Sequence, residues 1–220
     1  MTEVIIFDEL EEIKMSTGVI VLLDSIINTI GAILAFSAIP FIWYIISKKR
    51  IKGFLNYIGL YKPSKNHAHA ITIVISAYIV SFIIICILNK QPNGMQTNPF
   101  LKIYNTETIG VFCLYVLLYG LQTGIGEEIL FRGFFGKRFV SKFGFSVGNI
   151  VQALIFAVPH ILTFNSTPIL EVALGVLNAL FIGYVFGYVS EKIYNGSIIP
   201  SIMAHTLINI LSGLLLIFVF

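Results

Sequence analysis

Three ionisable side chains stand close together in an otherwise apolar part of the sequence. The stretch GIGEEILFRG, residues 124–133, contains Glu127, Glu128 and Arg132. Because an ionised side chain at the centre of a membrane helix costs roughly 2.5–3.5 kcal/mol on insertion scales, these groups must compensate one another or serve a function. Glu128 and Arg132 are four residues apart, so they share a helix face and can pair. Glu127 is rotated by about 100° from Glu128 and is predicted to point into the helix bundle.

Two histidines and an asparagine occur in other apolar stretches. His160 lies in IFAVPHIL, and His205 lies in IMAHTLIN, with Asn209 four residues later on the same helix face. Counted at 1.5 Å per residue from the helix ends, Glu127, His160 and His205 all lie at depths of roughly 12 to 20 Å. Three helices therefore bring a carboxylate, two imidazoles and an amide to similar depth, which is the arrangement expected of a polar cavity inside the membrane.

These residue types predict hydrolysis, most simply of a peptide bond, by either of two routes. A glutamate in a low-dielectric site can act as a general base, and together with a neutral histidine it could polarise a water molecule toward an amide carbonyl. The second histidine and the asparagine could then donate hydrogen bonds to the oxyanion. Alternatively, Glu127, His160 and His205 could hold a metal ion that activates the water.

The composition places these residues in a membrane protein. Hydrophobic residues make up 57% of the 220 residues and charged residues only 11%, whereas soluble domains carry about 25% charged residues. The apolar stretches predict an all-α, polytopic membrane helix bundle of about six transmembrane helices, at about 22–47, 70–88, 107–131, 146–163, 169–190 and 197–219. Residues 89–106 contain proline, asparagine and glycine and are predicted to form a loop.

Two further patterns concern the connections and the packing. After the first span, a basic stretch carries apolar residues at helical spacing, namely Ile51, Phe54, Leu55 and Ile58. This pattern predicts a short helix lying in the membrane interface, with an ordinary basic loop as the alternative. Glycines at GxxxG spacing predict close helix packing; they are Gly120 with Gly124 and Gly183 with Gly187.

Basic residues divide unevenly between the two ends of the predicted spans. Ten lie on one side, at positions 48, 49, 50, 52, 62, 65, 137, 138, 142 and 192, and three on the other, at positions 14, 90 and 102. The positive-inside rule then places both termini outside the cytoplasm. The chain is predicted to comprise an acidic N-terminal segment (1–16), an N-terminal transmembrane region with two spans (17–106) and a catalytic membrane core (107–220).

The polar residues form three motifs that resemble those of a known family. They are EExxxR at Glu127–Arg132, FxxxH at Phe156–His160 and HxxxN at His205–Asn209. In this order the motifs resemble those of the CAAX protease and bacteriocin-processing (CPBP) family of membrane proteases, over roughly residues 107–212. EExxxR alone is a weak signal, but three motifs in order, each on its own helix, are specific.

The resemblance implies a helical fold with the site inside the bilayer, reached from the cytoplasmic side. It implies that Glu127 and His160 activate water and that His205 and Asn209 stabilise the oxyanion, while Arg132 and Phe156 have structural or orienting roles. Glu128 belongs to the catalytic motif and pairs with Arg132. The family has been described both as metalloproteases and as metal-free glutamic proteases. The metal-free mechanism is favoured because asparagine is a poor zinc ligand, with zinc as the alternative.

The resemblance also implies the class of substrate. Eukaryotic members remove the last three residues of prenylated CaaX proteins, and bacterial members resemble processors of bacteriocin leaders or peptide pheromones, or immunity proteins. The abundance of isoleucine, lysine and asparagine indicates an AT-rich bacterial genome, which favours a peptide precursor or a membrane-protein tail as substrate. The expected partners are therefore this substrate and membrane lipid, with no nucleic acid.

Two non-proteolytic functions remain as alternatives. The first is a non-catalytic membrane protein that binds a partner, such as a bacteriocin-immunity protein or a regulator. The second is a small transporter that uses the carboxylate and the histidines as a proton relay. A transporter would favour inverted repeats or broken helices, and the sequence contains no convincing example of either.

Overall fold

The protein is a bundle of helices, as the sequence predicts. The structure, a computed structural model, describes residues 2–63, 68–89, 99–163 and 169–217, and these residues contain helices and no strand. The α-helices in chain order are α1 (Thr2–Lys48), α2 (Phe54–Tyr57), α3 (Ala68–Asn89), α4 (Pro99–Thr106), α5 (Ile109–Glu128), α6 (Lys137–Ala157), α7 (Ile169–Tyr188) and α8 (Ile199–Leu216). Two π-helical segments, Ile129–Gly136 and Val189–Ile193, and a 3-10 helix, Val158–Thr163, continue some of them.

Among the described residues, five helical stretches are long and apolar enough to cross a membrane, where the sequence predicts about six spans. They are Thr17–Lys48, Ala70–Ile87, Ile109–Ile161, Ile169–Ile193 and Ile199–Leu216. The difference arises in the third stretch, which has 53 residues and contains both the third and the fourth predicted spans. Straight, it would be about 80 Å long at 1.5 Å per residue, far more than the roughly 30 Å of hydrocarbon in a bilayer.

This third stretch reverses direction at Gly144. Its φ of 78° and ψ of 167° interrupt α6, and a glycine tolerates this conformation because it has no Cβ. Beyond Gly144 the chain returns along itself, since the rings of Phe131 and Phe156 are 5.1 Å apart. The third stretch is therefore a helical hairpin with two arms. Lys137 and Lys142 were predicted to lie in a loop between two spans. This prediction is wrong, because the chain is helical up to residue 143.

The predicted loop over residues 89–106 is also wrong in its last part. Residues 90–98 lie outside the described residues, but Pro99–Thr106 forms α4. Proline is well accommodated in the first turn of a helix, where the missing N–H would have no intrahelical partner. Phe100 and Leu101 are buried, and the Phe100 ring contacts that of Tyr119 at 5.0 Å. Burial of this apolar face outweighs the loop-forming composition that precedes it.

The predicted interfacial helix is much shorter than its pattern indicates. Only Phe54–Tyr57 is helical. Gly53 has a φ of 98°, in the left-handed region, so the helix cannot extend back to Ile51. Leu55 is exposed, as expected at an interface, whereas Ile58 is 1% exposed and packs with core residues of other elements. The linker is therefore anchored in the bundle at Ile58.

The close packing predicted for the glycine pairs is confirmed. A Cβ on Gly120 would lie 2.9 Å from the Thr206 carbonyl oxygen, so α5 and α8 pack in near-backbone contact. A Cβ on Gly183 would lie 3.3 Å from the Cα of Ala153, so α7 and the second arm of α6 approach equally closely. These contacts bring the three predicted motifs toward one another, as small residues allow in membrane helices.

Candidate active site

Glu128 is the centre of a buried ionic network. Its side chain is 0% exposed, and its Oε1 forms an ion pair with Arg132 Nη1 at 2.8 Å and a hydrogen bond with His205 Nδ1 at 2.9 Å. The pairing of Glu128 with Arg132 that the four-residue spacing predicts is therefore confirmed. The contact with His205 joins the end of α5 to α8, and no sequence spacing could reveal it because the two residues are 77 positions apart.

Arg132 is buried in the interior between two aromatic rings. Its guanidinium carbon lies 4.2 Å from the ring centroid of Phe156 and 5.4 Å from that of Phe186, in positions suited to cation–π attraction. Its Nη2 donates to the Gly183 carbonyl oxygen at 3.3 Å. Gln152 Nε2 donates to the same carbonyl at 2.9 Å, so a buried amide that the sequence analysis did not identify supports the network.

Glu127 has quite different surroundings. Its side chain is 21% exposed, and its Oε2 lies 3.9 Å from His205 Nε2, which is too long for a direct hydrogen bond. His205 Nδ1 faces a carboxylate, which can only accept, so Nδ1 carries a hydrogen and the neutral ring has its lone pair on Nε2. Glu127 and the free face of His205 therefore border the same space.

His160 lies just beyond the second arm of α6. Pro159 cannot donate to the helical ladder, and here the α-helix gives way to the 3-10 helix Val158–Thr163. His160 Nδ1 is 3.0 Å from the Phe156 carbonyl oxygen, which can only accept, so the neutral ring again has its lone pair on Nε2. The His160 ring is half-buried and within electrostatic range of both Glu127 and His205.

Phe156 packs at the junction of the three motifs. Its ring is 3% exposed and lies 5.1 Å from the His160 ring and 6.1 Å from the His205 ring, measured between centroids. The same ring lies against the Arg132 guanidinium. It therefore fixes the distance between the two histidines without contributing a titratable group.

Asn209 is oriented by a residue that the sequence analysis missed. Its Nδ2 donates to Thr123 Oγ1 at 2.8 Å, and the Thr123 hydroxyl donates in turn to the Tyr119 carbonyl oxygen at 2.9 Å. Thr123 lies one helical turn before Glu127, on the same face of α5. This four-residue spacing from Glu127 could have identified Thr123 from the sequence. A threonine one turn before Glu127 on α5 can reach Asn209, which lies one turn after His205 on α8.

The proposed metal ligands do not form a metal site in this arrangement. Among the described residues, no three histidine, cysteine, aspartate or glutamate side chains are close enough to hold one ion. Because His205 Nδ1 contacts Glu128 and His160 Nδ1 contacts a carbonyl oxygen, each ring could offer an ion only its Nε2. The donor set of Glu127, His160 and His205 thus does not fit an ion as it stands, and no step below is routed through one.

A π-helical segment follows the paired glutamates directly. Residues Ile129–Gly136 have this wider helical form, which is uncommon and concentrated at functional sites. Arg132 lies within it. These residues were predicted as ordinary helix and loop, because hydrophobic spacing does not distinguish a π-helix from an α-helix.

A polar cavity opens between α1 and α5 beside the site. It has a volume of about 570 Å3, and its lining includes Asn28, Gln122 and Tyr119. The Tyr119 phenol is within electrostatic range of Glu127. Neither Asn28 nor Gln122 has a hydrogen-bond partner among the described residues. Two such carboxamides at the surface of membrane helices are costly unless another molecule satisfies them.

One serine motif in the sequence does not mark a second site. Residues 144–148 read GFSVG, the letters of the nucleophile motif GxSxG, which requires a strand-to-helix turn. Here the residues form the helical reversal at Gly144, and Ser146 is exposed. The structural context of a serine hydrolase is therefore missing in this part of the chain.

The three motifs lie within one region that matches a known family. Residues 109–211 match the family described as type II CAAX prenyl endopeptidase, Rce1-like. This part of the chain is therefore similar to that family. The Rce1-like region begins with α5, ends in α8 and includes every motif residue named above, so the resemblance inferred from the motifs is confirmed. No curated protein and no solved structure matches the chain significantly.

This match supports a CAAX-type membrane protease, and the apolar helices support a multi-pass membrane protein. The Rce1-like region supplies the whole ionic network, since Glu128, Arg132 and His205 all lie within it. Helix α1 precedes the matched residues but contacts them closely. Its Thr29 hydroxyl lies 3.3 Å from the Leu118 carbonyl oxygen, so α1 forms one wall beside the Rce1-like site.

Proposed function

We propose that the protein is an intramembrane endopeptidase that hydrolyses a peptide bond in a peptide precursor or a membrane-associated protein. One observation carries this proposal. Glu127 is a partly exposed carboxylate whose nearest ion-pair partner is 3.9 Å away, beside a Glu128 whose charge is fully compensated. A structural role would require the opposite, because an intramembrane carboxylate without a close partner is expensive. A role of Glu127 in the reaction would explain why this free-energy cost is tolerated.

The chemistry assigned to Glu127 is that of a general base. Its carboxylate takes a proton from a water molecule, whose oxygen bonds to the scissile carbonyl carbon, and the carbonyl oxygen becomes an oxyanion. The carbon–nitrogen bond then breaks, and the proton passes from Glu127 to the leaving amine. His160 presents a lone pair on Nε2 and orients the water through a second hydrogen bond. Base catalysis of this kind contributes about 10²–10⁴ in rate.

The oxyanion is assigned to His205 and Asn209. Asn209 uses one amide hydrogen for Thr123, and the other remains for the substrate. His205 can donate from Nε2 only if both ring nitrogens carry hydrogens. In that state Nδ1–H faces Glu128 and Nε2–H faces the side on which Glu127 lies. Each such donor typically contributes about 10²–10³ in kcat.

The polar cavity beside α1 supports a peptide as the substrate. Extended backbone has N–H and C=O groups that nothing in hydrocarbon can satisfy. Asn28 and Gln122 each offer a donor and an acceptor, with no charge that would select a particular side chain. We infer that an unwound segment of the substrate lies in this cavity while its scissile bond reaches Glu127.

The decisive experiment compares peptide termini in membranes and medium from cells that carry the wild-type chain, Glu127→Gln or the control Glu171→Gln, at matched protein levels. Glutamine keeps the shape of glutamate but cannot take the proton. A peptide product found with the wild type and with the Glu171→Gln control should therefore be missing from the Glu127→Gln strain. Glu171 is a carboxylate in the first turn of α7, outside the three motifs.

Identical peptide profiles in all three strains would contradict proteolysis. If the Glu127→Gln strain also kept the biological phenotype, the alternative of a non-catalytic immunity or regulatory protein would be supported instead. A peptide that disappears only with Glu127→Gln would identify the substrate, and thereby decide between processing and immunity.

A further inference from the structure

One end of the helix bundle carries most of its positive charge. The arms of the hairpin, the linker after α1 and the turn before α8 meet there, and the Arg138 guanidinium stacks 3.8 Å above the Tyr57 ring. Among the described residues, this end holds Lys48, Lys49, Arg50, Lys52, Lys62, Lys137, Arg138, Lys142 and Lys192. In the same described part of the chain its only carboxylate is Glu191, which pairs with Lys137 at 3.5 Å.

A cavity lies within this basic end, separate from the candidate active site. It has a volume of about 320 Å3 and is lined by Tyr57, Lys137, Arg138, Ser141 and Lys142. We call it the basic pocket. Its size falls within the roughly 300–1,000 Å3 of ordinary ligand sites. Cations and hydroxyl groups line it, and no carboxylate does, so an anion is the ligand that its chemistry fits.

Two of the three cations in the basic pocket have no anionic partner among the described residues. Lys137 is occupied, because its Nζ donates to the Gly196 carbonyl oxygen at 2.6 Å and pairs with Glu191. Arg138 Nη1 donates to the Gly133 carbonyl oxygen at 2.8 Å, which orients the guanidinium without neutralising it. Lys142 is exposed and lies on the same helix face, four residues after Arg138.

The Tyr57 phenol reports the positive field in the pocket. Burial raises the pKa of this phenol, but the Arg138 guanidinium beside it, together with hydrogen bonds to Ser47 and Trp43, outweighs burial, so the pKa lies below its ordinary value. A nearby cation favours the ionised form of an acidic group. The same field favours any other anion that reaches the space between Tyr57, Arg138 and Lys142.

Exposed apolar residues flank the basic pocket. Leu55 is 59% and Phe143 47% exposed. Trp43 is 54% exposed, and its ring contacts that of Phe134 at 6.0 Å between centroids. Tryptophan and tyrosine favour the level of lipid headgroups, and basic residues gathered at the end of a span bind anionic lipids. A cationic pocket with apolar sides therefore fits a ligand that has both a phosphate and a hydrocarbon chain.

We propose that the basic pocket binds the phosphate of an anionic phospholipid, with Arg138 and Lys142 as its charged donors, Ser141 and Tyr57 as its neutral donors, and the acyl chains along Leu55 and Phe143. This site is independent of peptide hydrolysis. It would tie the turn of the hairpin to the linker after α1, since Tyr57 and Arg138 come from these two elements.

The test is native mass spectrometry of the full-length protein, purified in detergent and titrated with phosphatidylglycerol, phosphatidylcholine or inorganic phosphate. Lys142→Gln removes one donor without disturbing a buried contact. Lys192→Gln is a matched control, because Lys192 is also exposed and also lies over an aromatic ring, that of Phe145 at 4.7 Å, but it does not line the pocket.

Phosphatidylglycerol should bind more tightly than phosphatidylcholine, and Lys142→Gln should weaken it about fivefold, as expected for one basic residue worth about 1 kcal/mol near a lipid phosphate. Lys192→Gln should leave it unchanged. Equal losses in both variants, or equal binding of both lipids, would overturn the site. Inorganic phosphate that bound as tightly as phosphatidylglycerol would mean that the pocket holds a free anion, which would overturn the assignment to a lipid.

Discussion

At the scale of single residues, Glu127 and Glu128 are neighbours in sequence with opposite surroundings. Glu128 is fully buried and pairs with Arg132 and His205, whereas Glu127 is partly exposed and has no partner closer than 3.9 Å among the described residues. Carboxylates whose environments differ in this way take different roles in a reaction. The helical spacing of Arg132 was enough to predict which glutamate is paired. It could not predict the contact with His205, because depth along a helix does not give its rotation.

The pairing of Arg132 predicts a large effect on stability. Arg132→Met keeps much of the packing against Phe156 but leaves Glu128 without its cation in a buried site, which should cost about 3–5 kcal/mol. Thermal unfolding of the purified protein in detergent should therefore shift to lower temperature. Adding Glu128→Gln to Arg132→Met should recover part of the loss, because no buried charge then lacks a partner. A double variant less stable than Arg132→Met would contradict this account.

Thr123 should act as a positioning residue for Asn209. Thr123→Val keeps the shape of the side chain but removes the acceptor that orients the Asn209 amide. Loss of one hydrogen bond, worth about 1–1.5 kcal/mol, should lower kcat roughly tenfold and leave KM nearly unchanged. Thr123→Ser keeps the hydroxyl and should retain most of the activity. If kcat fell as far in Thr123→Ser as in Thr123→Val, packing rather than the hydrogen bond would be responsible.

The proposed chemistry also predicts insensitivity to metal removal. The mechanism assigns both proton transfer and oxyanion binding to side chains, so dialysis against a strong chelator should leave the cleavage rate unchanged. Loss of activity that added zinc restored would favour the alternative in which Glu127, His160 and His205 hold an ion. That outcome would also require these side chains to move together from their present positions, since no three donors in the described chain converge.

At the scale of helices, the site depends on backbones that approach closely. Gly124 is the clearest case, because a Cβ there would lie 2.8 Å from the Thr206 backbone nitrogen and 2.9 Å from its Cα. Gly124→Ala should force α5 away from α8, at a cost of about 1–3 kcal/mol. Activity should fall with stability, since Glu127 is on α5 and His205 is on α8.

Gly110→Ala provides the control for this prediction. It lies on the same helix, and a Cβ there would meet nothing within 4 Å. Thermal unfolding and cleavage by Gly110→Ala should match the wild type. Equal destabilisation by the two substitutions would mean that helix propensity or general packing, not the contact between α5 and α8, determines the effect.

Helix positions were predicted well wherever one long apolar run forms one crossing, as in α3 and α8. The errors fall where apolarity is ambiguous. The two arms of the hairpin were predicted as separate spans, but the basic residues between them predicted a loop where the chain is helical up to residue 143. Helix α4 is short, and its apolar face is recognisable only once Tyr115 and Tyr119 are known to cover it. The π-helical segment has no distinct period in sequence, so only the backbone reveals it.

At the scale of the whole molecule, the charge asymmetry predicts an orientation. The basic end should face the cytoplasm, with both termini on the opposite side. Single cysteines at Lys102 and Lys142, in a chain without Cys86 and Cys113, can be tested with a membrane-impermeant maleimide on intact cells. Lys102→Cys should react at once and Lys142→Cys only after permeabilisation. The reverse labelling pattern would mean that the basic end faces away from the cytoplasm, and the substrate would then be expected to reach Glu127 from the side opposite to the cytoplasm.

The division of the chain into an N-terminal region and a catalytic core stays a prediction. Contacts cross the proposed boundary at several places. A Cβ on Gly126 would lie 2.8 Å from the Phe36 ring of α1, and Thr29 reaches the backbone of α5. Helix α1 is therefore expected to be needed for a stable site, although it lies outside the residues that match the family.

The reversal at Gly144 has a consequence for the order in which the helices assemble during synthesis. It places Glu128, Arg132 and Phe156 on two adjacent arms, so their contacts are local in sequence and can form while synthesis continues, as low contact order favours. His205 comes from α8, the last of the described helices, and docks on Glu128 from 77 residues away. On the proposed function, the two arms that carry Glu127 and His160 pair first, and peptide hydrolysis begins only when α8 brings His205 and Asn209 to them.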